Sequence, residues 1–370
     1  MRILIALVLS LALAPAWAQP SPSARSALQT AVDDAVASGQ TPGLSVTAIL
    51  PDGRRVQVFA GESSRRGHAP VDAETRFLSG STGKTITALL AVQLVNEGVL
   101  SLDTPLDEQL SGQDWWDGLR NHESLTLRML LNHSAGVPDY LEDVGFFFSS
   151  RLRGTARLSH ADLVGFVARD TPKGVPGAHY AYSDTDYILV GLVIETVTGE
   201  DFYDLAQTRI LDPLALTATE PQRGREFEHL ADGHVDGLFG LSATSRHGRL
   251  NTSLDHEWTA GGWVTTPDDL VTLYRALGED GMFAAESRIM RANFNAFQPD
   301  GPSGYGLGVF VRKTGDGHFR IAHGGDFGGF RSAVLHDSAS GVTLAVQANS
   351  KAFEAPDFNF ELLDVLTTLD

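Results

Sequence analysis

Strand-forming runs cluster at the two ends of this chain, and that arrangement limits the folds open to it. Residues 43–50 (GLSVTAIL) and 55–60 (RVQVFA) flank Pro51-Asp52-Gly53, a hairpin signal. Residues 306–311, 318–322, 329–335 and 342–347 alternate with Gly/Asp-rich turns, the pattern of an antiparallel meander. Between these ends the periodicity is helical but broken, over 82–96, 126–132, 159–168, 186–198, 203–209 and 267–277. Helices are also expected at 27–38, where Leu28, Val32 and Val36 repeat every four residues, and at 355–369. Residues 19–25 read as a loose Pro/Ser-rich leader. The economical solution is an α/β (α+β) chain whose single antiparallel sheet is built from both ends and flanked by helices. A mainly helical domain is inserted between, with a cleft where the two meet. The expected division is 19–80 plus 300–370 for the sheet-and-helix domain and 81–299 for the mainly helical one.

Composition removes whole classes of function. The chain carries 28 Lys+Arg against 46 Asp+Glu, a formal net charge of −18, and no cysteine. That charge repels phosphate backbones and anionic lipid, which argues against a nucleic-acid binder. Without cysteine there is no disulfide framework, thiolate zinc site, iron–sulfur cluster or Cys nucleophile. His229 and His234 lack the H-E-x-x-H spacing of a zinc site. The chemistry falls to Ser, Thr, Tyr, His, Lys and carboxylates. At the start, Met1-Arg2 precedes an apolar run that stops at Pro15, and Ala16-Trp17-Ala18 fits a small-x-small cleavage site. Residues 1–18 thus read as a signal peptide, too short for a membrane span. The expectation is an exported protein, periplasmic or secreted, with no stable membrane anchor.

The first chemical constellation is Ser81-Thr82-Gly83-Lys84 at a helix start, which puts Ser81 and Lys84 on one face. A serine hydroxyl needs a neighbouring base, and a lysine of lowered pKa can serve. Alone, S-x-x-K is a weak motif. Gly83-Lys84-Thr85 also matches the tail of a phosphate-binding loop, but that loop needs glycine at position 78, where Leu78 stands.

The wider context is more specific. The run from Phe77 through Ser81 and Lys84 to Ala88 resembles the nucleophile segment of the serine β-lactamase and penicillin-binding family, closest to its class C, D-alanyl-D-alanine carboxypeptidase and esterase branch. The stretches EGVLSLDTPL (97–106) and LTLRMLLNHSAGVPDY (125–140) continue the resemblance over most of the chain. It implies an acyl-enzyme hydrolase with Ser81 as nucleophile, Lys84 as its partner and no metal or organic cofactor. Tyr182-Ser183-Asp184 matches the family's Tyr-x-Asn, making Tyr182 a proton-transfer residue, although an isolated tyrosine is more often a core aromatic. Asp184 departs from the pattern. A carboxylate there is expected to pair with Lys84 and leave Tyr182 as the principal base, provided that Lys84 stabilises the phenolate.

A literal Lys313-Thr314-Gly315 is a decoy, read as a turn before Asp316-Gly317. The better match to the family's third motif is His323-Gly324-Gly325, whose glycines let a substrate lie against a strand edge. By position, the backbone N–H groups of Ser81 and Asp326 would form the oxyanion hole. Asp184, His323, Gly324, Gly325 and Asp326 are therefore the expected substrate-binding set. A neutral His323 beside two carboxylates tilts the reading toward an esterase or a peptidase acting on D-amino-acid peptides. Arg331 could supply a cation, which keeps D-Ala-D-Ala carboxypeptidase open. A class C-like β-lactamase and a penicillin-binding sensor without efficient turnover are the alternatives. His133 is expected to be structural, and Phe146, Phe147 and Phe148 to be packing or a cleft wall.

Overall fold

The computed structural model of the chain describes residues 22–64, 67–153, 158–237, 240–298 and 300–369. The expected signal peptide, 1–18, lies outside the described residues. One nine-stranded antiparallel sheet dominates. Its strands in chain order are β1 (Gly43–Ile49), β2 (Arg55–Ser64), β3 (Ala69–Pro70), β4 (Asn295–Ala296), β5 (Ser303–Tyr305), β6 (Phe310–Gly315), β7 (His318–Phe327), β8 (Phe330–Asp337) and β9 (Val342–Ala348). Their spatial order is β4-β5-β6-β7-β8-β9-β1-β2-β3. The two chain ends meet at β1 and β9, which pair antiparallel from Leu44↔Ala348 to Ile49↔Thr343.

Every residue of β1 and β9 is buried, because helices cover both faces of the sheet there. On the outer face lie α1 (Pro22–Ala37) and the last helix, Ala355–Thr367; Leu28, Val32, Leu44, Val46 and Leu362 share one core. Each such side chain contributes about 1.5–3 kcal/mol by leaving water. On the inner face lie α2 (Lys84–Asn96) and α3 (Asp184–Thr198), whose Leu89, Leu90, Leu189 and Val190 belong to a second, larger core with Ile321 and Val334 of the sheet. α2 is buried on every side from Lys84 to Val92, and only its last turn, with Asn96, reaches solvent. Gly98 follows its end with φ +75°, a left-handed stop.

Several boundaries differ from those expected. α1 starts at Pro22, so part of the stretch read as a loose leader is helical. The run 306–311 is not one strand: residues 306–309 form a turn between β5 and β6. Gly306 N donates to Val309 O, and Gly308, at φ +72°, sits so close to α2 that a Cβ would stand 2.3 Å from Ala88 Cβ. The helical signal at 203–209 divides into Phe202–Ala206 and a wider π turn, Gln207–Leu211. The middle of the chain also holds short ribbons, among them Glu220–Pro221 and Trp263–Thr265 beside Phe77–Leu78. Runs of two or three residues are too short for periodicity to reveal.

Candidate active site

Close backbone approaches fix the first constellation. After Phe77–Leu78 the chain makes a 3₁₀ turn, Gly80–Gly83, that runs straight into α2. Gly80 has φ +52°, and a Cβ on it would stand 3.0 Å from Asp326 N, so the turn presses against β7. A Cβ on Gly325 would meet Ser79 O at 2.1 Å, and Ser332 Oγ donates to that same carbonyl at 2.5 Å. Ser81 is thereby held on the cleft wall, with Lys84 fully buried behind it.

Lys84 Nζ donates to Ser81 Oγ at 3.1 Å, to Ala260 O at 2.6 Å and to Asp184 Oδ1. An ammonium has three protons, and here each has an acceptor. Tyr182 Oη donates to Ser81 Oγ at 2.7 Å. Burial, and then the Asp184 carboxylate, push the Tyr182 phenol well above its ordinary value. Tyr182 is therefore a neutral donor to Ser81, the opposite polarity to the base expected from the sequence. The expected stabiliser, Lys84, lies 4.9 Å from the ring centroid, but its charge is met by Asp184.

Residues that sequence reading left out of the site hold these groups in place. Asp139 accepts from the Asp184 N–H at 3.0 Å and from Leu141 N, and burial and Asp184 raise its carboxyl to about 6. The His133 ring lies 4.3 Å from the Tyr182 ring, and its Nδ1 meets Asp186 Oδ2 at 2.9 Å, both side chains being fully buried. Burial drives His133 down and Asp186 up, each toward its uncharged form. On the other side of Lys84, Trp258 adopts φ 35°, ψ −116°, a conformation costing on the order of 1–3 kcal/mol. Four successive carbonyls after it are each capped: Thr259 by Thr87, Ala260 by Lys84, Gly261 by Ser79 and Gly262 by Tyr203. Asp139 and His133 lie in the motif-bearing stretch 125–140 and could have been suspected. Ala260 acts through its backbone and left no sequence signal.

The third motif lies within β7, not at the end of a shorter strand. β6 pairs with β7 only from Gly315↔His318 to Phe310↔Ala322, so among the described residues the edge from His323 to Asp326 has no strand partner on that side. Such an edge offers backbone groups to an extended ligand. The His323 side chain is turned inward and only 3% exposed. Its Nδ1 donates to Gly324 O at 2.7 Å, and its Nε2 accepts from the Tyr305 hydroxyl at 2.8 Å. Burial, and then the Lys84 charge, lower it to about 3, so the ring is neutral. Arg331, a candidate cation, is turned to Asp326 at 3.5 Å and Glu354 at 4.0 Å, and donates to Lys351 O.

Of the eight residues singled out from the sequence, seven line one cleft of about 660 Å³, and Lys84 lies beneath its wall. Lys313-Thr314-Gly315 ends β6 in solvent and lies outside the cleft lining, with Lys313 Nζ 4.4 Å from the Phe294 ring; it is a strand end, not the turn expected. Phe146 packs against Tyr140 and His256, while Phe147 and Phe148 are exposed; none of the three lines this cleft.

A family model described as "Beta-lactamase" matches residues 28–366. Penicillin-binding protein 4* of Bacillus subtilis (strain 168) is 24% identical over 297 residues, 76% of this chain and 62% of that protein. Penicillin-binding protein 4 of Amycolatopsis lactamdurans is 30% identical over 201 residues, 53% of this chain and 49% of that protein. The chain thus spans roughly half to three fifths of the length of these relatives. Among solved structures, a D-stereospecific amidohydrolase from Streptomyces sp. superposes with a TM-score of 0.79 at 27% identity, covering 94% of this chain and 99% of the other. The D-amino acid amidase of Ochrobactrum anthropi SV3, complexed with L-phenylalanine amide, gives a TM-score of 0.76 at 25% identity, covering 93% and 97%.

Proposed function

We propose, from the premise that this chain belongs to the β-lactamase family and is a serine hydrolase of it, that Ser81 attacks amides or peptides of D-amino acids and forms an acyl-enzyme. The observation that carries the reading is the convergence of Lys84 Nζ and Tyr182 Oη on Ser81 Oγ, at 3.1 and 2.7 Å, on the wall of the cleft. Lys84 first gives a proton to Asp184, and the neutral amine so formed takes the Ser81 proton as Oγ attacks. The Tyr182 phenol gives its proton to the departing nitrogen and recovers one from the Lys84–Asp184 pair. Water enters by the same route in reverse and releases the acid. The backbone N–H groups of Ser81 and Asp326 stabilise the oxyanion, each such donor being worth about 2.7–4 kcal/mol.

The near full-length likeness to a D-stereospecific amidohydrolase and a D-amino acid amidase supports the substrate class. A neutral His323 and an engaged Arg331 disfavour substrates whose carboxylate adjoins the scissile bond, as in penicillins. The pattern of residues 1–18 supports export, and the described residues hold no helix long and apolar enough to cross a membrane. The test is a panel of D- and L-amino-acid anilides, p-nitrophenyl esters and nitrocefin, with intact-mass detection of the acyl adduct. D-anilides should exceed L-anilides, and Ser81→Ala should form no adduct. A nitrocefin rate far above both, or an adduct that survives Ser81→Ala, overturns the reading.

A further inference from the structure

The cleft does not stop at Ser81. Where β6 ends its pairing at Phe310↔Ala322, the cavity passes the open edge of β7 and continues on the other face, as far as Arg312, Arg320, Asn359 and Phe360. We infer that this outer limb is a second subsite that receives the carboxyl terminus of a peptide whose scissile bond lies at Ser81. The inference rests on the reading of Ser81 given above and adds the chemical class of the distant end of the substrate.

Two groups there are unspent, Arg312 and Phe360. Arg312 is exposed and forms no ion pair among the described residues, although it faces Arg320 directly across the β6–β7 ladder. Arg320 is neutralised by Asp337 at 3.0 Å, which leaves Arg312 as the excess positive charge of the pair. Asn359, 2% exposed, closes the cavity wall beside them, its Nδ2 donating to Leu344 O at 3.4 Å. Phe360 is 40% exposed and presents an apolar ring beside the Arg320 guanidinium, 5.5 Å from its centroid. A cation and an apolar shelf together suit a carboxylate and a side chain, two features of a peptide's last residue.

Register sets the length. Gly325 abuts the Ser79 carbonyl, two residues before the nucleophile, and Arg312 stands opposite Arg320, five strand positions from Gly325. Five positions of extended chain span about 17 Å. Because β6 holds the β7 edge from Ala322 to His318, the peptide leaves that edge and crosses the sheet face to Arg312, and its terminal carboxylate lies about five residues beyond the scissile bond, on the leaving-group side.

Matched peptides with a D-residue acyl group and either one or five residues after the scissile bond, each as the free acid and as the C-terminal amide, test this. For the long pair, kcat/KM of the acid should exceed that of the amide by about two- to fivefold, the scale of an ion pair at an exposed site. The short pair should show no such preference, and Arg312→Ala should bring the long-pair ratio to about one. A long-pair ratio of one in the unaltered protein, or one that survives Arg312→Ala, overturns the inference. If no peptide is cleaved, the failure belongs to the reading of Ser81. Anisotropy titration of the same fluorescent acids and amides into Ser81→Ala, with and without Arg312→Ala, then decides the subsite alone: equal affinities overturn it.

Discussion

Two donors point at one oxygen in this site, and their roles differ because their surroundings do. Lys84 spends its three protons on Ser81, Ala260 and Asp184, so its charge is balanced within the protein. Tyr182 is held as a phenol by burial and by the same Asp184. A phenol can protonate a leaving nitrogen, and a p-nitrophenolate leaving group needs no such proton. Tyr182→Phe should therefore lower kcat/KM for D-amino-acid anilides by about 10²–10⁴, the usual scale of general acid–base catalysis, and affect p-nitrophenyl esters far less. Equal losses on both substrates would return Tyr182 to the role of base. At this scale the sequence named the residue types that now surround Ser81 and the Lys84–Asp184 pairing. It did not reveal that Tyr182 rests as a phenol, because that depends on burial, and burial is a property of the assembled fold.

Among elements, the decisive contact joins the turn Gly80–Gly83 to β7. It brings backbone against backbone and leaves no room for side chains at Gly80 or Gly325. In Gly325→Ala the new methyl would stand 2.1 Å from the Ser79 carbonyl, itself fixed by Ser332, so the strand must move away from the turn. The expected result is a loss of about 1–3 kcal/mol of stability by thermal or urea unfolding, as for other overpacked sites, together with loss of acylation. Retention of both would mean that the strand and turn are not coupled. The glycines of His323-Gly324-Gly325 were legible as a strand edge without side chains. The turn 306–309 was not, since Gly308 answers to Ala88 on α2, more than two hundred residues earlier in the chain. Local periodicity carries no record of such a neighbour.

Across the whole molecule, burial of histidines links stability to pH. His323 is neutral in the folded protein with its pKa near 3, whereas in the unfolded chain it titrates near 6.5. The unfolded state therefore takes up this proton first, and the stability contributed above pH 6.5 is lost as pH falls through about 3. The limiting slope is about 1.4 kcal/mol per pH unit for one proton. His323→Gln, which keeps an acceptor for the Tyr305 hydroxyl, should show a dependence of unfolding free energy shallower by one proton between pH 6.5 and 4 in urea titrations. Identical slopes would mean that His323 titrates normally in the fold.

The sequence by itself determined the architecture and the reagents. Strand runs at both ends bury their apolar faces most economically by joining one sheet, as β1 and β9 do, and the motifs supplied a serine, a lysine, a tyrosine and an open-edged strand. Only the tertiary structure decided how those reagents are charged and what stands behind them. The strained Trp258 turn that aims the Ala260 carbonyl, the Asp139 carboxyl under Asp184 and the second limb of the cleft all arise from segments distant in the chain. Their properties depend on water being excluded where those segments meet, and a linear pattern of residues does not encode that exclusion.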